Sequence, residues 1–279
     1  MYVNATITSL QLVLDKQLGV QTSNDLIGGV SRNAAVAFSL AKDKLDGMLN
    51  WVGNLNPLAE QPQDFVPGAS TSNVRIRMDQ EPFANGGLRE AFKGQISLHR
   101  DWSPCVFKRY LSPDVKNVYL DTMEVSTIAH FLAEEYNKQR KPGMLEVEFL
   151  RSHVVYTEDL AYFFCEDVLD VERWKRFNTN NSFWSPDVLR DDPDIATLLH
   201  FLRFTYEYTN HRLVVTDLQG VKKLPRGYRL TDPAILTGGA DKERFGRTNL
   251  GPKLMTDNYK EAGYQLQVLA DRKDRLLVA

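Results

Sequence analysis

The sequence L-V-V-T-D-L-Q-G-V, from Leu213 to Val221, joins a short apolar run to polar side chains that suit metal binding. Its first four residues are apolar or β-branched, which predicts a brief buried strand. Asp217 and Gln219 follow, and their side chains project to the same side of an extended chain because they are two residues apart. Asp232 comes after a short basic linker. Two carboxylates and an amide are oxygen donors, which suit a hard divalent ion such as Mg2+.

Two glycines further along the chain, Gly246 and Gly251, bracket the polar turn F-G-R-T-N-L-G. Glycine at both ends of such a turn lets the backbone approach a phosphate or a peptide. Taken alone, neither this turn nor a D-x-Q triplet is specific, since most strand ends of this composition are ordinary turns. The order of the whole set, with Asp217, Gln219 and Asp232 ahead of the turn, favours a functional site.

The longer segment F-T-Y-E-Y-T-N-H-R-L-V-V-T-D-L-Q-G-V, from Phe204 to Val221, resembles the atypical alpha-kinases. The blocks L-T-D-P and F-G-R-T-N-L-G follow it in the order found in that family. The resemblance implies an α+β fold that is bilobal, protein-kinase-like and of the alpha-kinase type. Its N-lobe would be an antiparallel sheet with a helix, its C-lobe would mix α and β elements, and ATP would bind in the cleft.

The same resemblance assigns roles to the three polar side chains. Asp217 would be catalytic, orienting or deprotonating the acceptor hydroxyl, while Gln219 and Asp232 would hold magnesium. Catalysis of this kind rests mostly on positioning and electrostatic stabilisation. The expected cofactors are therefore ATP and Mg2+.

A glycine-rich hairpin upstream, G-G-L-R-E-A-F-K-G, precedes a predicted strand that contains Lys108. Glycines at a hairpin tip let backbone amides come close to an anionic ligand. A lysine one strand later can reach ATP phosphates, although an edge-strand lysine more often extends into water. By resemblance, Lys108 is a catalytic residue that binds phosphate, and Gly86, Gly87 and Arg89 contact the nucleotide.

The segments that follow this lysine contain further acidic candidates. Val118 to Lys138 is predicted to be a helix, and in kinases a helical carboxylate at this place orients the lysine. Asp121 and Glu124 are both candidates, and the sequence does not choose between them. The strand predicted from Leu160 to Val168 becomes acidic at Glu166. By resemblance this is the hinge acid, close to where backbone groups read adenine.

The basic segment R-W-K-R-F-N-T-N-N, from Arg173 to Asn181, resembles a basic, aromatic and Asn-rich segment of the family. The family commonly has lysine directly before the aromatic residue, whereas this chain has Arg176 there with Lys175 beside it. The charge is kept but the hydrogen-bonding geometry changes. We expect Arg176 to contact the nucleotide. A basic run with asparagines is otherwise typical of a solvated loop.

The chain departs from the family at the structural zinc. Alpha-kinases typically bind zinc through two histidines and two cysteines near the C-terminus. The helical histidine position is Arg203 here, and the run from Gly263 to Leu269 contains neither Cys nor His. We therefore expect no structural zinc. In its place we expect Tyr264, Leu266 and Leu269 to be buried against the C-lobe.

The domain organisation follows from a change of pattern near residue 70. Residues 1–70 are expected to form an N-terminal helical extension and linker, with an amphipathic helix from Asn33 to Trp51 and a linker rich in Pro, Gly and Ser. Ser9 to Leu14 fits a strand or a helix. Residues 71–279 would be the catalytic domain, with the N-lobe at about 71–165 and the C-lobe at about 166–279. The remaining patterns predict strands at Val74–Met78, Leu88–Leu98, Cys105–Tyr110 and Leu145–Tyr156, helices at Asp194–Tyr208 and Lys253–Leu269, and a charged tail at Asp271–Arg275.

The composition limits which binding partners and which cellular compartment we expect for this chain. The chain has 279 residues and a net charge of −2, so nothing draws it as a whole towards nucleic acid or membrane. No apolar run approaches the roughly 20 residues of a membrane helix, and no signal peptide is evident. Its two cysteines, Cys105 and Cys165, make no disulfide framework, which favours a cytoplasmic location.

The expected function is ATP-dependent transfer of the γ-phosphoryl group to serine or threonine of a protein substrate. The first alternative is a nucleotide-binding pseudokinase scaffold, which the missing zinc ligands and Arg176 favour. The second is a kinase that acts on small molecules or nucleotides with the same scaffold. The oligomeric state, the physiological substrate and the regulator leave no signal in the sequence.

Overall fold

The computed structural model describes residues 2–14, 65–97, 101–112, 116–157, 162–223, 227–238 and 245–278. These residues divide into two compact units. The first unit contains the described residues within 2–14, 65–127 and 151–168, and the second contains those within 128–150 and 169–278. Among the helices that the structure describes, none combines the length and the apolar character needed to cross a bilayer.

Thirteen strands and four α-helices make up the described residues. In chain order they are β1 (Tyr2–Leu14), β2 (Phe65–Met78), β3 (Ala84–Asn85), β4 (Arg89–Ser97), β5 (Ser103–Tyr110), α1 (Lys116–Gln139), β6 (Glu146–Phe149), β7 (His153–Thr157), β8 (Tyr162–Asp167), β9 (Lys175–Arg176), α2 (Pro186–Asp191), α3 (Ala196–Tyr208), β10 (Leu213–Thr216), β11 (Gln219–Lys223), β12 (Gly227–Thr231), β13 (Ala234–Thr237) and α4 (Pro252–Val278). A single 3-10 turn, Gly246–Thr248, precedes α4.

The first unit is an antiparallel sheet that curls until two of its distant strands pair. The strand order is β2-β1-β7-β8-β5-β4-β3, and an additional pairing of β2 with β4 closes six of the strands into a ring. Alternate residues of these strands point inward and form one apolar cluster. Its fully buried members are Ile76, Phe92, Cys105, Phe107, Val155, Phe163 and Cys165. Burial of each large apolar side chain contributes roughly 1.5–3 kcal/mol, so this cluster holds the ring together.

Gly94 is the residue that permits the ring to close. It pairs with Met78 across the β2–β4 contact and with Cys105 on β5. A Cβ atom added at Gly94 would lie 2.3 Å from the carbonyl oxygen of Arg77 and 2.6 Å from the ring of Phe107. Both distances are far below van der Waals contact, so only glycine allows the two strands to approach this closely.

The N-terminal expectations are partly overturned. Tyr2–Leu14 is a strand, which decides between the two alternatives left open for Ser9 to Leu14. Phe65–Met78 is also a strand, although Pro67 and Gly68 predicted a linker there. The reason is residue-for-residue pairing of β2 with β1, because ladder hydrogen bonds outweigh the weak local preference of turn-forming residues. The helix expected from Asn33 to Trp51 lies outside the described residues.

The second unit combines two small sheets with helices. One sheet has the order β6-β12-β11-β9, with β6 parallel to β12, and the other pairs β10 with β13. Helix α3 buries an apolar face that, as predicted, repeats at helical spacing. Its buried residues are Thr197, Leu198, Leu199, Phe201, Leu202 and Thr205. This face lies against β10 and α4, so it supports the strand that ends at Asp217.

Two element boundaries differ from the sequence predictions. The strand expected from Leu145 to Tyr156 is two strands, β6 and β7, which belong to different sheets. Periodicity alone cannot detect this break because both halves are apolar and alternate. The charged tail expected from Asp271 to Arg275 is part of α4, which continues to Val278. Lysine, arginine and glutamine favour helices, and Gln267 donates a hydrogen bond to Asp271 one turn later.

Candidate active site

Lys108 occupies a buried position on the outer face of the curled sheet in the first unit. Its neighbour Phe107 points into the core, so the alternation of the strand turns the lysine to the opposite face. The Lys108 ammonium lies 2.6 Å from Glu166 Oε2, and the two residues are 8% and 3% exposed. Ser152 Oγ donates a hydrogen bond to the other oxygen, Glu166 Oε1. A buried pair with this much hydrogen bonding holds the ammonium in a single orientation.

Glu166 is one acidic partner of Lys108, and the sequence did not predict it for this role. Glu166 was expected to be the hinge acid, and a carboxylate on α1 was expected to orient the lysine. Strands β5 and β8 are neighbours, and their register sets Lys108 opposite Phe164. Glu166 is two residues from Phe164 and lies diagonally across from the lysine on the same face. Of the helical candidates, Glu124 is fully buried and Asp121 is partly exposed.

Arg89 lies on the same face as Lys108, two residues further along the β4–β5 ladder. It pairs with Tyr110, and its guanidinium carbon is 5.6 Å from the Tyr110 ring and 5.8 Å from the Phe164 ring. Gly86 and Gly87 are exposed in the turn between β3 and β4. A Cβ atom at Gly87 would meet nothing within 4 Å. The first unit thus brings Arg89, Lys108 and Glu166 to one face, with the two glycines at an open hairpin end.

Asp217, Gln219 and Asp232 come together in the second unit. Thr216 pairs with Ala234 in the two-stranded sheet, and Gln219 pairs with Thr231 in the four-stranded sheet. Asp217 and Asp232 therefore lie at the two places where the chain passes from one of these sheets to the other. Both adopt a positive φ, 56° and 49° respectively, which is uncommon for residues other than glycine. The register thus brings together the three oxygen donors predicted from the sequence.

Gly220 allows β12 to pair closely with β11 beside Gln219. Its φ is +148°, and an added Cβ atom would lie 2.2 Å from the carbonyl oxygen of Arg229. The backbone of β12 therefore approaches β11 at a distance that only glycine tolerates. This explains the fourth residue of the D-L-Q-G sequence, because any side chain there would push Gln219 away from Thr231.

Arg176 contacts two of the predicted functional side chains. Its Nη2 atom donates to Gln219 Oε1 at 2.9 Å, and its Nε atom is 3.4 Å from Asp217 Oδ1. The amide nitrogen of Gln219 donates to the carbonyl oxygen of Asp232 at 3.1 Å. A guanidinium can reach both acceptors with its planar fork, whereas an ammonium is a single point of charge. The arginine therefore links Asp217 to Gln219 directly.

The donor set fits a magnesium ion in chemical type. The side chains of Asp217, Gln219 and Asp232 all supply oxygen, the ligand that Mg2+ prefers, and Mg2+ commonly completes its shell with water and substrate phosphates. Gln219 Oε1 would hold the ion only after the guanidinium of Arg176 moves away from it. Among the described residues, no group of three or more His, Cys, Asp or Glu side chains could hold a metal ion.

Several contacts around these residues were not predicted from the sequence. Asn178 and Asn258 are buried side chains that hydrogen-bond to Thr216, immediately before Asp217. Asn249, in the predicted glycine-bracketed turn, binds both the backbone and the hydroxyl of Thr237 on β13. The sequence signal for Asn178 was the density of asparagine in Arg173–Asn181, which is equally typical of solvated loops, and Asn249 and Asn258 are single asparagines without such a signal.

Arg203, which stands at the position of the family's zinc-binding helical histidine, makes a polar contact between α3 and α4. Arg203 Nη2 lies 2.6 Å from Tyr259 Oη and 3.0 Å from Glu207 Oε1, and its guanidinium carbon is 4.1 Å from the centre of the Tyr259 ring. Burial and the hydrogen bond to Glu207 raise the pKa of Tyr259. The expected burial of Tyr264 is wrong, because this side chain is 63% exposed. Leu266 and Leu269 are partly buried.

Comparison with known proteins identifies the family to which this chain belongs. The model of the alpha-kinase family matches residues 84–261. Eukaryotic elongation factor 2 kinase of Rattus norvegicus is 33% identical over 193 residues, which are 65% of this chain and 24% of that protein. Alpha-protein kinase vwkA of Dictyostelium discoideum is 30% identical over 220 residues, which are 74% of this chain and 34% of that protein. The chain thus spans about a quarter to a third of the length of these relatives.

Solved structures share the fold. A novel alpha kinase from Entamoeba histolytica superposes with a TM-score of 0.64 at 20% identity, covering 94% of this chain and 87% of that one. The apoenzyme alpha-kinase domain of myosin-II heavy chain kinase A gives a TM-score of 0.57 at 21% identity, covering 68% and 85%. The α+β fold of the alpha-kinase type expected from the sequence is confirmed. From the matched residues 84–261 and this shared fold, we conclude that the chain belongs to the alpha-kinase family.

Proposed function

We propose that this chain is an ATP-dependent protein kinase that transfers the γ-phosphoryl group to serine or threonine of a protein substrate. The observation that carries the proposal is the convergence of Asp217, Gln219 and Asp232 where the two sheets of the second unit meet. Three oxygen donors at one place suit phosphoryl transfer, in which a bound metal ion and a positioned acceptor do most of the catalytic work. Membership of the alpha-kinase family supports it.

Asp217 is the proposed catalytic residue. Its side chain is 19% exposed, whereas Thr216 and Leu218 on either side are fully buried. The carboxylate is therefore partly accessible between two buried neighbours, although its Oδ1 atom is itself buried, and a hydroxyl acceptor would reach its exposed part. In that position it would orient the serine or threonine hydroxyl and accept its proton.

Gln219 and Asp232 are the proposed magnesium ligands. When bound, the ion would offset the negative charge that builds on the phosphates during transfer. Gln219 is 5% exposed and its amide nitrogen is already bound to the backbone of Asp232. This contact fixes the direction in which its oxygen points.

Lys108 is the proposed phosphate-binding residue. Its ion pair with Glu166 keeps the ammonium charged and oriented in a buried setting. Arg89 adds a second cation on the same face, and Gly86 and Gly87 leave room for a ligand at the hairpin end. These features support nucleotide contact by all five residues.

A pseudokinase remains the second candidate, and one observation favours it. Arg176 donates to the Gln219 oxygen that the proposal assigns to magnesium, and it also contacts Asp217. If the guanidinium stays in place when nucleotide binds, the metal ligand is blocked and transfer fails. An assay that measures nucleotide binding and transfer separately distinguishes the two functions.

The variant Lys108→Met tests the phosphate role. With radiolabelled ATP, Mg2+ and a generic basic protein as acceptor, we expect it to lower transfer at limiting ATP by on the order of a hundredfold, because the phosphate loses a buried cation. The matched control is Lys93→Met, which removes an exposed lysine from β4 of the same sheet. Analysis of the labelled amino acids should yield phosphoserine or phosphothreonine. Equal rates in wild type and Lys108→Met would move the phosphate contact elsewhere.

A cytoplasmic location is part of this proposal. Cys105 and Cys165 are both buried free thiols. The hydrogen bond that the Cys165 thiol makes to Cys105, together with burial, raises the pKa of Cys165 well above its ordinary value, so it stays protonated and unreactive. Two such thiols are typical of proteins in reducing compartments.

A further inference from the structure

Asp217 is held in an unusual backbone conformation by its surroundings. Its φ of 56° lies in the left-handed region, which residues other than glycine adopt uncommonly, although aspartate does so more readily than most. The residues that impose this conformation determine where the carboxylate points. In this protein they are found on three separate segments of the second unit.

Asn178 hydrogen-bonds to both neighbours of Asp217, to the backbone of one and the side chain of the other. Its side-chain oxygen accepts a hydrogen bond from the Leu218 amide at 2.7 Å, and its side-chain nitrogen donates to Thr216 Oγ1 at 3.0 Å. The carbonyl oxygen of Leu218 accepts a further bond from the Phe177 amide at 2.8 Å. Asn178 is 1% exposed, so no water competes for these contacts.

Asn258 extends the same network to helix α4. Its side-chain oxygen accepts from Thr216 Oγ1 at 3.0 Å. Its side-chain nitrogen donates to the carbonyl oxygens of Asn180 at 3.1 Å and Leu254 at 2.9 Å. Asn258 and Thr216 are both fully buried. The Thr216 hydroxyl thus joins the helix to the segment that contains Asn178.

We propose that Asn178 and Asn258, acting through Thr216, are positioning residues that hold Asp217 in its left-handed conformation for phosphoryl transfer. We call Asn178 and Asn258 the amide clamp. Their side-chain hydrogen bonds end on Thr216 and Leu218, which flank Asp217, or on the backbone of Asn180 and Leu254. None of these hydrogen bonds ends on the carboxylate of Asp217. The inference rests on the proposed function, because it assigns to Asp217 a reaction for which it must be oriented.

The kinetic test uses variants that change the clamp but not Asp217. Thr216→Val removes the hydroxyl at nearly constant shape, Thr216→Ser keeps it, and Asn178→Ala removes both amide contacts. Misplacing a reacting group by about 1 Å costs on the order of a hundredfold in rate. We expect Thr216→Val and Asn178→Ala to lower kcat by about this factor with KM for ATP unchanged. Thr216→Ser should retain most of the wild-type kcat.

Asn137→Ala is the matched control for loss of a backbone-binding amide. Asn137 also uses both ends of its side-chain amide, donating to the Val147 carbonyl at 2.8 Å and accepting from the Val147 amide at 2.9 Å. It lies on α1 and holds β6 rather than the Asp217 segment. We expect this control to lower the melting temperature without changing kcat. The proposal is overturned if Asn137→Ala and Asn178→Ala reduce kcat equally, or if Thr216→Val retains the wild-type kcat.

Hydrogen exchange of the Leu218 amide separates this inference from the proposed function. If the wild-type protein transfers no phosphate, the proposed function fails, but the clamp is still tested by this measurement. In Asn178→Ala and Thr216→Val the amide should exchange at least about tenfold faster, because its acceptor is lost or released. Asn137→Ala should leave its exchange rate unchanged. Wild-type protection of Leu218 in both clamp variants would show that Asn178 does not hold this segment.

Discussion

At the scale of single residues, Arg176 is the side chain that most distinguishes this chain from its family pattern. Its guanidinium links Gln219 and Asp217 through contacts of 2.9 and 3.4 Å. A lysine at this position would keep the charge but would lose the fork that spans both acceptors. If magnesium binds Gln219 as proposed, the ion and the guanidinium of Arg176 compete for the same oxygen.

The variant Arg176→Lys tests this competition without an activity assay. Mn2+ is a paramagnetic substitute for Mg2+, and its binding is measured by the loss of the free-ion electron spin resonance signal. We expect Arg176→Lys to bind Mn2+ about threefold to tenfold more tightly than wild type, because one hydrogen bond to a charged group no longer has to be broken. Net charge is unchanged in this variant, so a general electrostatic effect is avoided.

Arg173→Lys is the matched control for this measurement. Arg173 belongs to the same basic segment, but its Nη2 atom donates to the carbonyl oxygen of Lys222 at 2.7 Å. We expect Arg173→Lys to bind Mn2+ like wild type. If Arg176→Lys binds Mn2+ no better than wild type, the guanidinium does not compete for the metal ligand.

The sequence reveals the residues that carry the chemistry better than those that position them. Asp217 and Gln219 were candidates because a D-x-Q sequence follows a strand, although the positive φ of Asp217 breaks the extended chain that this argument assumed. Asn178 and Asn258 were not, since each acts on Thr216 across about 40 residues of chain. Such contacts depend on how separate segments pack, which periodicity does not record.

At the scale of elements, α3 and α4 are in contact at Arg203, the position where the family typically has a zinc-binding histidine. Arg203, Glu207 and Tyr259 form a hydrogen-bonded group between the two helices. A Cβ atom at Gly263 would lie 2.4 Å from Arg203 Nη1, so the glycine leaves room for the guanidinium. These side chains join the two helices.

This arrangement predicts stability that is independent of zinc. We expect a strong chelator to leave the melting temperature unchanged, because the α3–α4 contact needs no metal. Arg203→Ala should lower it by roughly 2–4 °C, since the contact is partly exposed and is worth about 1 kcal/mol. The matched control is Arg190→Ala, which removes an exposed ion pair within α2 and should have no measurable effect. Stoichiometric zinc in the purified protein, with unfolding on chelation, would contradict this prediction.

Elements with a strong helical period were predictable, whereas their pairing partners were not. Helices α1 and α3 match the predicted spans within two residues at each end. Strand β2 was predicted in part as a linker because Pro67 and Gly68 are turn-forming residues. Its structure depends on pairing with β1, which is more than 50 residues earlier in the chain. Long-range pairing of this kind overrides local preference.

At the scale of the whole molecule, the alpha-kinase fold supplies two sets of polar residues, one in each unit. The first unit contains Lys108 with Glu166, and the second contains Asp217 with Gln219 and Asp232. Both sets retain the residue types that phosphoryl transfer requires, although the zinc ligands of the family are replaced. We therefore expect the contact of Arg203 with Tyr259, rather than zinc, to attach α4 to α3.

Transfer of radiolabel from ATP to a basic protein, compared between wild type and Asp217→Ala, tests whether this fold works as a kinase. With Mg2+ present, the wild-type chain should label itself or the acceptor on serine or threonine. Asp217→Ala should be slower by on the order of a hundredfold or more, with an unchanged melting temperature and retained binding of a fluorescent ATP analogue. No transfer by the wild-type chain despite nucleotide binding, or an equal rate in Asp217→Ala, would contradict the assignment of Asp217 as the catalytic residue of an active kinase.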